Sequence, residues 1–192
     1  GVHQVVSMRG AKGWEIESTV GAILRTWSSD KIRLNRGAWR FGVIPHWANY
    51  SMTFLVIASV AAVWLLASRR RPHGAAVLDG TAPIAAVTAF LVFSPLLSPQ
   101  FLIWIVPFAA IAAARGDKLV AGLVTAVVAL SVLDLNLIWE LVHTNQNLPQ
   151  EVVLFRNFLL VVLLGVCFAR LWKRARGAVL DVPTPESVEA AA

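Results

Sequence analysis

The sequence predicts an all-α membrane protein, a polytopic helical bundle of about five transmembrane helices. An N-terminal extracytoplasmic amphipathic helix and a short β-hairpin precede the bundle. Three observations carry that expectation. Hydrophobic residues make up 57% of the 192 residues and charged residues only 15%, and the mean hydropathy is +0.67, too apolar for an ordinary soluble domain of this length. Beyond residue 50 the apolar residues gather in long runs. The lysines and arginines between those runs fall in alternate gaps: Arg69, Arg70 and Arg71 in one, Arg115 and Lys118 in another, and Arg170, Lys173, Arg174 and Arg176 after the last. Residues 94–100 and 140–151 hold no basic residue. Basic loops resist translocation, so this alternation puts the basic gaps in the cytoplasm and the others outside.

Residues 1–50 form the predicted extracytoplasmic loop. Val20, Ile23, Leu24 and Trp27 recur at helical spacing after Ser18 or Thr19, either of which can cap the first turn. That helix is too short to span a bilayer, and Arg25 with Trp27 suits the membrane interface. Lys31-Ile32-Arg33-Leu34-Asn35 and Trp39-Arg40-Phe41-Gly42-Val43 each alternate around Asn35-Arg36-Gly37, which reads as a hairpin with one apolar face. Pro45, His46 and Trp47 mark entry into the membrane.

Residues 51–172 form the predicted bundle, with spans at about 51–68, 82–96, 101–114, 118–138 and 152–171. The second and third are short, and Pro95 and Pro99 between them predict a tight outer turn. Residues 173–192, rich in alanine and containing Pro183 and Pro185, read as a disordered cytoplasmic tail. No internal repeat is evident. The sequence opens at Gly1 on what reads as the middle of a loop, so the expectation is a piece of a longer protein.

The pI near 10.4 raises nucleic-acid binding, but the cations cap membrane segments or sit near one outer surface, with no RNA- or DNA-binding signature among them. The expected partners are membrane lipids instead. Arg9, Lys12, Arg25, Lys31, Arg33, Arg36 and Arg40 crowd the outer side, where lipid phosphate is their natural counter-charge. The single cysteine, Cys167, lies inside an apolar run, excluding a disulfide framework or a cysteine-based metal site within the chain. No metal-ligand spacing or Gly-rich phosphate loop is present, so no cofactor is expected.

Two polar groups lie within the spans. Asp134 is 16 residues beyond Lys118, about 24 Å of helix, and Arg156 is 14 residues before Arg170, about 21 Å. Both reach a similar depth near the outer surface, together with Asn136, Glu140, His143 and Asn157. Ionisable residues in spans face a bundle interior or a wet cavity and are functional candidates. The competing explanation is that Asp134 and Arg156 pair, or that Arg156 reaches outward to the interface. Glu17 and Ser18 are equally explained as an acidic residue and a cap at a helix start. His46 and His143 each read as a polar anchor or as a base.

Two runs, in this order, resemble a known family. Lys12-Gly13-Trp14-Glu15-Ile16-Glu17-Ser18 resembles the (Arg/Lys)-Gly-x-x-x-Glu-Ser run of the polyprenol-phosphate-sugar-dependent glycosyltransferases of the GT-C superfamily, in the group that includes actinobacterial mannosyltransferases. Leu97-Ser98-Pro99-Gln100-Phe101-Leu102-Ile103-Trp104-Ile105-Val106-Pro107 resembles that group's Ser-Pro-Gln-(Tyr/Phe)-Leu-x-Trp-x-x-Pro signature. Lys12 stands where Arg is commoner and Phe101 where Tyr is commoner. The resemblance implies the C-terminal half of an enzyme that moves mannose or a similar hexose from a polyprenyl-phosphate donor to a lipid-linked or glycan acceptor. With Arg156 added from its depth within a span, Lys12, Glu17, Ser98, Gln100 and Arg156 are the expected donor- or groove-lining residues, and the resemblance implies a catalytic acidic residue in a missing N-terminal half. Half of a membrane transporter or flippase, with Asp134 and Arg156 along a permeation path, is one alternative. A non-catalytic membrane scaffold is another.

Overall fold

The computed structural model describes residues 13–35, 37–68, 80–144 and 147–180. Lys12, Arg69, Arg70, Arg71, the side chains of Asn136, Glu140 and His143, and the part of the predicted tail beyond residue 180 lie outside the described residues. The order of elements is β1 (Trp14–Glu15), α1 (Thr19–Arg25), β2 (Arg33–Asn35), β3 (Ala38–Phe41), α2 (His46–Ser68), α3 (Thr81–Phe93), a 3-10 helix (Pro99–Ile105), α4 (Val106–Ala114), α5 (Lys118–Thr144) and α6 (Asn147–Leu180). The protein is mostly helical and carries one small antiparallel sheet.

The predicted hairpin forms from β2 and β3, with Leu34 opposite Trp39 and Asn35 opposite Ala38. Gly37 takes a left-handed φ of 79° at its turn, a conformation glycine adopts without Cβ strain. The sheet has a third strand that the sequence did not reveal. β1 pairs with the far side of β3, matching Trp14 with Phe41 and Glu15 with Arg40. Consequently both edges of β3 are paired, and Arg40 is buried alongside Phe41 instead of pointing to water. Trp14, Ile16 and Phe41 form a small core with Ala48 and Met52 from the start of α2, which seats the sheet on the bundle.

Helix α1 starts where the sequence places it. Ser18 Oγ accepts from Gly21 N–H at 3.1 Å and donates to Glu15 O at 2.8 Å, satisfying one free amide of the first turn. Its inward face is made of Thr19, Gly21 and Ala22, whereas Ile23, Leu24 and, after the helix, Trp27 are exposed. Small residues therefore meet the protein and large apolar ones face out, the polarity of a helix lying against lipid.

Three helices are long and apolar enough to cross a membrane: His46–Ser68, Lys118–Leu135 within α5 and Gln150–Arg176 within α6. α2 is apolar all round, yet it buries only Ala48, Met52, Val63 and Leu66. Tyr50, Phe54, Ile57 and Trp64 stand exposed along it, an arrangement that water penalises and hydrocarbon does not. α6 packs against α1, α2, α3 and α5 and is the hub of the bundle. It continues as helix through Lys173, Arg174 and Arg176 to Leu180, so the segment predicted as tail from residue 173 begins as helix.

Two shorter apolar segments, Thr81–Phe93 and Gln100–Ala114, complete the bundle. They are separated, as predicted, by a non-helical stretch after Ser94. The 3-10 conformation that follows has a local cause. Pro107 has no N–H to give to Ile103 O, and its ring would crowd that carbonyl in a continuous α-helix. Val106 N–H bonds Ile103 O instead, and α4 starts from there. Residues three apart eclipse in this geometry, which stacks Phe101 against Trp104 with ring centroids 5.0 Å apart.

The α4–α5 turn is closed by Gly116 N–H to Ala113 O and Asp117 N–H to Ala112 O, both 2.9 Å, with Gly116 at φ 82°. Asp117 then caps α5 through Val120 N–H and forms an ion pair with Arg170 of α6.

Gly21 sets the closest approach of α1 to β1. A Cβ there would lie 1.9 Å from Glu15 O, so the helix must move to admit it. Gly21→Ala should destabilise the folded protein by about 1–3 kcal/mol, read as a lower midpoint of thermal unfolding in detergent. An unchanged or higher midpoint would contradict this packing.

Candidate functional site

The polar residues predicted to share a depth do meet. Arg156 Nη1 donates to Asp134 Oδ2 at 2.5 Å, and both side chains are 0% exposed. The guanidinium makes two further bonds: Nε to Asn157 Oδ1 at 3.2 Å and Nη2 to the backbone carbonyl of Glu17 at 2.7 Å. Asn157 Nδ2 donates to the same carbonyl at 3.0 Å. The pairing explanation therefore holds for Asp134 and Arg156, with a third party, the segment before α1. Gln150 Nε2 adds a contact to Ala22 O at 2.6 Å. The opposite ends of α5 and α6 are tied by Asp117 and Arg170, so this antiparallel pair is latched at both heights.

Above this pair, Glu17 is 9% exposed, and its Oε2 has no hydrogen-bond partner. Burial pushes its pKa up to about 8, Asp134 and Glu15 push in the same direction, and only Arg156 opposes them. Glu15 is raised to about 7, again by burial first, against the backbone N–H of Leu97, Arg40 and Arg156. Leu97 N–H donates to Glu15 Oε2, which joins the loop before the 3-10 helix to β1. Arg40, partner of Glu15 across the strands, donates through Nη1 to Gly13 O at 3.0 Å, and its Nε has no acceptor. Burial lowers the Arg40 pKa and the Glu15 carboxylate raises it.

Three buried carboxyl groups, Glu15, Glu17 and Asp134, thus face two guanidinium groups, Arg40 and Arg156. Charge balances when one carboxyl keeps its proton, and Glu17 has the strongest cause to keep it at neutral pH. In that state it offers an O–H to a ligand oxygen. Deprotonated, it is an acceptor close to Arg156.

The sequence-predicted residues divide unevenly. Arg156 and Glu17 come together through the Glu17 carbonyl. Ser98 is half-buried at the start of the 3-10 helix and Gln100 is exposed, and both neighbour the Leu97–Glu15 link in sequence. Lys12 lies outside the described residues. His46 is exposed at the first residue of α2, the place of an interfacial anchor. Sequence reasoning missed Glu15 and Arg40. Their opposite charges sit directly across β1 and β3, a cross-strand signal that is readable only once that pairing is known. Among the described residues no group of three His, Cys, Asp or Glu side chains is arranged to hold a metal ion.

Two measurements test the site. Arg156→Met leaves Asp134 buried without its cation and frees the Glu17 carbonyl, so the folded state should lose about 3–5 kcal/mol. Arg156→Met, Asp134→Leu together should recover part of that loss. The second concerns pH. The folded-state pKa of Glu17, about 8, lies above the ordinary glutamate value of 4.5, so its contribution is fully present below about 4.5 and is lost as pH rises through about 8. Thermal stability should therefore fall from pH 5 to pH 9, with Glu15 contributing up to about 7. Glu17→Gln keeps the backbone carbonyl for Arg156 and should flatten most of that fall. An equally steep profile in the variant would show the carboxyl to be ionised throughout.

No family model matches the chain, and neither the curated proteins nor the solved structures contain a match to it.

Proposed function

We propose that the chain is the C-terminal part of an integral-membrane glycosyltransferase that moves a hexose, mannose or a close relative, from a polyprenyl-phosphate donor. The acceptor is a lipid-linked or free glycan on the extracytoplasmic face. The observation that carries this reading is the bond from Leu97 N–H to Glu15, because it joins the two sequence runs that resemble the donor-using family. At this bond the two runs are 82 residues apart in sequence.

In this reading five segments cross the membrane. Thr81–Phe93, at 13 residues, rises about 20 Å, short of the ~30 Å hydrocarbon core. The 3-10 helix and α4 together rise about 27 Å, because the tighter coil gains about 0.5 Å per residue. The two meet at the outer turn, where non-helical backbone is tolerable against protein or water. Glu17, Ser98 and Gln100 are the residues assigned to donor contact, and Arg156 positions Glu17 through its carbonyl.

An acceptor hydroxyl oxygen attacks the anomeric carbon, the bond from that carbon to the phosphate oxygen breaks, and polyprenyl phosphate leaves with the electron pair. The hydroxyl proton goes to a carboxylate that the resemblance puts upstream of this chain. Cations at the headgroup level stabilise the departing phosphate.

A thiol at Gln100 tests the face. The position is exposed and the one native cysteine, Cys167, is buried. Gln100→Cys in intact cells should react with a membrane-impermeant maleimide from outside. Labelling only after the cytoplasmic side is opened would invert the topology and remove the proposal. Residues 1–192 alone should transfer no sugar from polyprenyl-phosphate mannose, whereas the complete open reading frame should. Transfer by this chain alone would show that its base lies within it.

A further inference from the structure

Arg40 stands at the junction of two cavities. On one side a polar cavity of about 700 Å³ is lined by Asp30, Lys31, Arg33 and Arg40. On the other, a crevice of about 320 Å³ between α2 and α3 has Arg40, Asn49 and Thr53 among its polar lining, and Ile57 and Phe93 among its apolar lining. That crevice shares Val56 and Ile57 with an apolar groove of about 590 Å³, which continues along α2 to Trp64. From Val56 to Trp64 the helix rises about 12 Å.

Three features select an occupant. Arg40 is 5% exposed and its Nε donor is unused, an expensive condition for a guanidinium unless an acceptor arrives. The polar cavity sets three cations against one carboxylate, Asp30, so it favours a ligand with net negative charge. The apolar groove runs from that site along the exposed face of a helix able to cross a membrane, which is where a bilayer acyl chain already lies.

We propose that Arg40 heads a binding site for an anionic glycerophospholipid of the surrounding bilayer. A phosphodiester oxygen pairs with the Arg40 guanidinium where that residue lines both cavities, the polar headgroup occupies the cavity beside β3, and one acyl chain follows the crevice between α2 and α3. This site is separate from the glycosyl-transfer reading and stands or falls without it.

The full chain, purified in detergent and analysed by native mass spectrometry with added phosphatidylglycerol or phosphatidylcholine, tests the assignment. Phosphatidylglycerol should be retained about tenfold more than phosphatidylcholine, and Arg40→Gln should remove that preference. Because Arg40 also holds the Gly13 carbonyl, a second variant is needed. Ile57 is 63% exposed, so Ile57→Trp fills the crevice without burdening the core, and it should lower retention of phosphatidylglycerol several-fold. Equal retention of the two lipids would overturn the proposal. So would unchanged binding in Ile57→Trp, or displacement of phosphatidylglycerol by millimolar inorganic phosphate, which would show an anion site without a chain. Preferential displacement by an equimolar polyprenyl monophosphate would assign the groove to an isoprenoid, and loss of lipid on dimerisation would assign it to a second copy of this chain.

Discussion

The guanidinium of Arg156 is the point at which the N-terminal segment, α5 and α6 become one structure. It reaches Asp134 of α5, Asn157 of its own helix and the carbonyl of Glu17 in the segment before α1. Bringing ionised groups to such a depth is costly, and a buried pair often returns little net stability compared with an apolar substitute. What it supplies is a unique solution. Apolar helices can slide and rotate against one another at small cost, whereas a charge at this depth is tolerable at one register only. The second latch, Asp117 with Arg170, fixes the same two helices at the other height.

The polar floor above that latch has a matching economy. Its carboxyl groups outnumber its guanidinium groups, and the imbalance is absorbed by a proton held on Glu17. Glu15 reaches the other way, to the amide of Leu97, and so ties the sheet to the loop that precedes the 3-10 helix. Pro107 cannot bond Ile103 O at the end of that helix, and the 3-10 geometry brings Phe101 and Trp104 together. Local covalent chemistry and long-range polar contacts therefore converge on the same rim of the bundle.

Much of the architecture was legible in the sequence, for identifiable reasons. The three long apolar helices were visible because hydrocarbon requires uninterrupted apolar length, and the hairpin because Asn35 and Gly37 sit between two alternating runs. The equal heights of Asp134 and Arg156 followed from counting residues to the nearest cations, and their pairing is the outcome. β1 was invisible because two residues carry no periodicity, and without it Arg40 reads as a surface cation. The depth of Glu17 was likewise hidden, since a residue before a helix cap is usually solvated and only the fold brings α6 over it. The 3-10 stretch was readable only as a proline-bounded irregularity, because proline excludes an α-helix without naming its replacement.

That α6 grips residue 17 by its peptide oxygen has a consequence for how this protein can change. Every amino acid carries that oxygen, so the joint is indifferent to which side chain occupies the position. Evolution, or an engineer, is free to rewrite the chemistry presented at the rim while the hinge pin that carries it stays in place.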